Sequence, residues 1–265
     1  MATGPQQKRK ELREKRLKAE AAAKGGDRRQ NLFKIVGISA FVAIIAIVVI
    51  VVAVGSGGDD DSSSTSNASS SEVNQVIDSL PQNGTVLGNA KTGVTLVEFG
   101  DLQCPICKVY ADDVLPDIIT GPIKDGDANF DFRQWAILGE QSTLAAKAAL
   151  AAAEQGRYWQ FVEAFYVDQG IENSGYVTDD FLTGIAEDAG VPDIDQWNTD
   201  RESDALNEKL LEVDDEASAE GFSGTPSFAI MDEDGNLTTV SAVSADPAQN
   251  VQTIKDAIAK AQGQK

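Results

Sequence analysis

Between Lys34 and Gly55 lie twenty residues without a charge, IVGISAFVAIIAIVVIVVAV, and they cannot be folded like the rest of the chain. At about 1.5 Å per residue, a helix over 35–54 is roughly 30 Å long, the thickness of a bilayer's hydrocarbon core. The 34 residues before it hold eleven basic and four acidic side chains, a net +7, while the whole chain carries −20. Everything after Val54 therefore sums to −27. A basic arm (1–34) ahead of an apolar span predicts a cytoplasmic N-terminus and a C-terminal part beyond the cell membrane. The rival reading is a cleaved signal peptide, for which Ala53-Val54-Gly55 offers small residues. The length of the apolar run and of its basic lead favours a retained single-pass anchor.

Residues 55–85 open with GSGGDDDSSSTSNASSS, too poor in apolar side chains to order itself, and are expected to form a flexible linker. The remainder, 86–263, is long enough for one domain with a real core. Its acidity argues against nucleic acid, which needs basic patches. Solubility is the simpler meaning of that charge.

Within 86–263, VTLVEF (94–99) predicts a strand with apolar side chains on both faces. A helical pattern follows Cys104, with Pro116 set to kink or restart it. NFDFRQWAIL (129–138) predicts a second strand. Four helical patterns then fill 140–221: one stopping at Gly156, one placing Trp159, Val162 and Tyr166 on one face, one capped by Thr178, and one ending at Gly221. PSFAIM, the turn DEDG and NLTTVSAV predict an antiparallel pair, and a last helix starts at Pro247. This α/β order resembles a thioredoxin-like core carrying an inserted helical domain at about 140–221.

The chain has two cysteines, Cys104 and Cys107, and no histidine. A structural zinc site needs four Cys or His ligands, so no metal is expected from this pair alone. A bridge spanning two residues constrains the unfolded chain little, which argues against a purely structural clip. A redox couple remains. The pair sits where a strand gives way to a helix, and Pro105 suits the first helical turn. Cys104 would then lie at a helix N-terminus, where free N–H groups and the helix dipole favour a thiolate. Cys107, nearly a turn later, is the more shielded, resolving partner. Glu98, on the same strand face as Val94 and Leu96, is a carboxylate among apolar neighbours, costly unless hydrated or protonated part of the time. With no histidine, acid–base work would fall to such a group, and Glu98 is a candidate to relay a proton with Cys107. Asp101 reads as a turn residue whose charge slightly opposes the thiolate.

VEFGDLQCPIC, followed far downstream by GTPSF, resembles the DsbA-like thiol:disulfide oxidoreductases, and AAKAALAAAEQGRYWQFVEAFY is similar to their inserted helical segment. The resemblance covers about 86–263. It implies an enzyme that introduces disulfides into reduced exported proteins, without a metal or organic cofactor. It also implies a membrane partner, DsbB-like or vitamin-K-epoxide-reductase-like, that reoxidises the cysteines. Carried over residue by residue, it makes Thr225-Pro226 the loop facing the sulfurs, joined by a cis bond and able to pair with an extended substrate. It also puts an acid at the place of Glu98. One departure concerns the dipeptide between the cysteines: where many members place a histidine, this chain has Pro105-Ile106, and Ile106 can donate no side-chain hydrogen bond. A less depressed Cys104 and a weaker oxidant are expected. The same motif could run in reverse as an exported reductase or isomerase, or serve a non-catalytic redox-sensing module.

Overall fold

The computed structural model describes residues 70–89, 91 and 93–263. The chain order is α1 (Ser70–Ser79), β1 (Gln82–Asn83), β2 (Val86–Leu87), β3 (Thr95–Gly100), α2 (Pro105–Asp113) and α3 (Leu115–Ile118). A wide turn over Ile119–Ile123 leads to β4 (Asn129–Gln134). Five helices follow: α4 (Glu140–Ala153), α5 (Tyr158–Val167), α6 (Asp179–Asp188), α7 (Ile194–Asp200) and α8 (Asp204–Ala219). β5 (Ser227–Met231), β6 (Leu237–Val240) and α9 (Pro247–Gln262) close the domain. The six strands form one sheet in the order β1-β2-β4-β3-β5-β6. β3 and β4 are parallel, and β5 runs antiparallel to β3.

β3 occupies the centre of the sheet and is buried along its whole length. Leu96 joins the main core, while Val97 and Phe99 pack on the other face with Trp135 and Ala217. The run of apolar residues on both faces follows from this double cover. Because β4 is parallel to β3 and β5 antiparallel, the end of β3, the end of β4 and the start of β5 share one edge of the sheet. Both cysteines leave from that edge.

The local signals act where the residues place them. Thr178 Oγ1 accepts the N–H of Phe181 and caps α6. Gly156, Gly190 and Gly221 take the positive φ that ends the preceding helices. Pro116 sits in the first turn of α3, after the backbone breaks at Val114.

Three expectations need correction. Residues 55–85 are not all linker: α1 begins at Ser70, and its Val73, Val76 and Ile77 are buried in the main core. Those apolar residues recur at helical spacing behind a Ser-rich stretch that masks them. The strand expected over 129–138 stops at Gln134, because the Asp101 carboxylate takes the N–H groups of Ile137 and Leu138 and turns the chain away. A fifth helix, α7, stands where no helical pattern was expected. It is capped by Asp193 and anchored by one fully buried side chain, Trp197, whose indole N–H donates to Ala148 C=O.

Among the described residues no helix is long and apolar enough to cross a membrane. The span expected over 35–54 and the basic arm 1–34 lie outside them.

Candidate active site

α2 begins as its sequence dictates. Cys104 is the N-cap, with φ −69° and ψ 119°, and Pro105 occupies the first turn, where its missing N–H leaves nothing unpaired. The cap atom is sulfur: Cys104 Sγ accepts the N–H of Cys107 at 3.4 Å. The Cys104 thiol also reaches the carbonyl of Thr225 at 3.4 Å, across 121 residues of chain. The Thr225–Pro226 bond is cis, and Thr225 is buried against the sulfur. Cys104, Cys107, Thr225 and Pro226 are thus brought to one place. Pro105 is exposed beside them and Ile106 is partly buried.

Both cysteines are free thiols, and their surroundings make them unequal. The hydrogen bond from the Cys107 side chain draws the Cys104 thiol down to about 7. Burial opposes that shift, while Thr225 and the backbone N–H groups of Cys107 and Ile106 add to it. Cys107 moves the other way: burial pushes it well above the ordinary thiol range, reinforced by Cys104 and then by the charge of Glu98. Cys104 is less open than a leading sulfur was expected to be. Only 3% of its surface is exposed, and its thiol is in contact with Thr225 C=O.

Glu98 lies on β3 opposite Phe228 of β5 and Phe132 of β4. It is fully buried, and among the described residues neither carboxylate oxygen has a hydrogen-bond partner. Burial holds its carboxyl well above the usual carboxylate range, and the Cys104 charge adds to the effect. Gly100 leaves room for this side chain: a Cβ there would sit 2.5 Å from the Phe132 ring and 3.3 Å from Glu98 Oε1.

Asp101 is more than a turn residue. It is buried, Oδ1 accepts the N–H of Gln103, and Oδ2 accepts those of Ile137 and Leu138. Gln103, also fully buried, and Gln169 join the same hydrogen-bonded loop. None of these residues stands out in the sequence as a site residue. The one available signal is Asp101 two residues before an N–H it could accept, an Asx turn. Among the described residues no three His, Cys, Asp or Glu side chains are grouped to hold a metal ion.

A sulfur capping a helix, a shielded second sulfur and a cis-proline loop across from them can be compared with known proteins. The sequence profile described as Thioredoxin matches residues 81–245, more than half of the chain. The chain belongs to the thioredoxin family. Among curated relatives, the probable disulfide bond formation protein D of Bacillus cereus is 30% identical over 155 residues, covering 57% of this chain and 70% of that protein. Oxidised BdbD from Bacillus subtilis superposes with a TM-score of 0.59 at 25% identity, over 69% of this chain and 96% of that one. A thioredoxin-like oxidoreductase from Silicibacter pomeroyi gives a TM-score of 0.53 at 30% identity, over 71% and 97%. This thioredoxin-family chain is thus similar to disulfide bond formation protein D and is a protein disulfide oxidoreductase.

Proposed function

We propose that this oxidoreductase works outside the cytoplasm, held at the cell membrane by residues 35–54, and introduces disulfides into exported proteins through Cys104-Pro105-Ile106-Cys107. The observation that carries the reading is the N-cap itself: Cys104 Sγ accepts a helix N–H and is drawn down to about 7. A thiolate stabilised this way is a good leaving group and a poor thing to leave oxidised.

The exchange balances in two steps. A substrate thiolate attacks Cys104 Sγ of the Cys104–Cys107 disulfide, the S–S bond breaks, and Cys107 leaves with the electron pair. Its environment disfavours a bare thiolate, so Cys107 takes up a proton, and Glu98, buried nearby with a raised pKa, is the donor. A second substrate thiolate then attacks the substrate sulfur of the mixed disulfide, and Cys104 leaves as the stabilised thiolate. The substrate dithiol is oxidised and the enzyme disulfide reduced. The Thr225–Pro226 loop, already in contact with Cys104, offers backbone groups to an extended substrate segment. Renewal of the disulfide falls to an oxidising membrane partner, DsbB-like or vitamin-K-epoxide-reductase-like.

The test is capture of the intermediate. In Cys107→Ser the Cys104 thiolate can still attack the disulfide of an exported protein, but the attack of Cys107 that would break the mixed disulfide is lost, so exported proteins should accumulate as reducible adducts on Cys104. No adducts, or the same adducts with Cys104→Ser, would count against the reading.

A further inference from the structure

The nucleophile's turn, residues 101–104, is hydrogen-bonded at several polar groups to the helical insertion. Cys104 N–H closes the turn on Asp101 C=O at 2.9 Å. The Gln169 side chain, just beyond α5, donates Nε2 to Leu102 C=O at 2.6 Å and to Cys104 C=O at 3.2 Å. That second carbonyl is also the acceptor of the first helical bond of α2, from Lys108 N–H at 3.2 Å. From within the turn, Gln103 Nε2 donates to Ser142 Oγ at 3.0 Å, and its Oε1 accepts the N–H of Asn173 at 3.0 Å. Asn173 Nδ2 donates to Leu138 C=O, and Leu138 N–H returns to Asp101. The circuit runs from the turn through the insertion and back.

We propose that Gln169 is a positioning residue of the exchange reaction, through which the helical insertion fixes the turn that presents Cys104. The physical route is short. The Cys104 thiolate is held by N–H groups of the first turn of α2, so its stability depends on where the Cys104 backbone lies relative to them. Gln169 grips the carbonyl of that residue and of the residue two before it. Its amide dipole also offsets the negative end of the Cys104 carbonyl. Loss of the donor leaves both carbonyls short of a partner and lets the turn relax. If the insertion served only as packing, apolar contact would suffice, and the bonds would not converge on the two carbonyls flanking Gln103.

The inference rests on Cys104 being the attacking sulfur, and its test reads that sulfur directly, without turnover. The full chain is reduced and its thiolate absorbance followed against pH, for the native protein, Gln169→Met and Gln169→Glu. Methionine keeps the volume and removes the donor; glutamate adds a charge that repels the two carbonyls. The Cys104 midpoint is expected to rise by roughly half to one pH unit in Gln169→Met. The rise should be larger in Gln169→Glu, whatever the change in the unfolding temperature of either variant. A midpoint unmoved in both variants, or a Gln169→Met that lowers only the unfolding temperature, would overturn the proposal. A shifted midpoint with no adducts in Cys107→Ser would instead overturn the function and leave the positioning intact.

Discussion

Glu98 shows what a single residue can cost. A carboxylate with no surface and, among the described residues, no hydrogen-bond partner is unfavourable in the native state, and its raised pKa expresses that cost. The sign follows from proton counting. Above about pH 4.3 the unfolded chain releases the Glu98 proton while the folded chain keeps it, so stability falls as pH rises through that range. Replacing Glu98 by Leu should therefore stabilise the reduced protein at pH 7 by about 1–3 kcal/mol, read by urea unfolding. The gain should shrink as the pH drops below the ordinary carboxylate range. A destabilised variant would show that Glu98 has a partner at neutral pH. This residue was legible in the sequence, because strand alternation put it among apolar side chains. Asp101, Gln103 and Gln169 were not: apart from the Asx turn between the first two, the partners that matter lie 36 to 70 residues away and no local pattern encodes such contacts.

Among the elements, β3 carries the tightest demand, and Gly100 is where it is felt. The Phe132 ring stands 2.5 Å from a Cβ at that position and is itself packed against Trp159 and Tyr166. It has nowhere to go. Gly100→Ala should cost about 1–3 kcal/mol of stability by overpacking, measured by urea or thermal unfolding, and a neutral effect would mean the ring can yield. The long helices and the central strands were readable from period and caps: Thr178 and the terminal glycines act as their chemistry requires. Apart from α1, hidden behind a Ser-rich stretch, the elements missed are the short ones. α7 spans seven residues, too few to display a face, and β1 and β2 are two-residue strands held by pairing, not by composition. Register with β4 and a single buried Trp fix these pieces, and both are tertiary facts.

Across the whole molecule, the fold takes two chemically identical side chains and makes them different. Sequence order alone suggested which sulfur leads, since Pro105 starts a helix after Cys104. Order alone could not place Thr225 against that sulfur; the resemblance did, and the contact spans 121 residues of chain to a leading sulfur that is almost covered. The split of charge along the chain, +7 before the apolar run and −27 after it, belongs to this scale too, because it proposes on which side of a membrane that chemistry happens. The inequality of the sulfurs is open to one direct measurement, a pH titration of thiolate absorbance in the reduced full chain, with Cys104→Ser and Cys107→Ser to assign the steps. One thiolate should form with a midpoint at about 7 and disappear in Cys104→Ser, while Cys107 stays protonated past the ordinary thiol range. Two thiols titrating together near about 8.5 would contradict it.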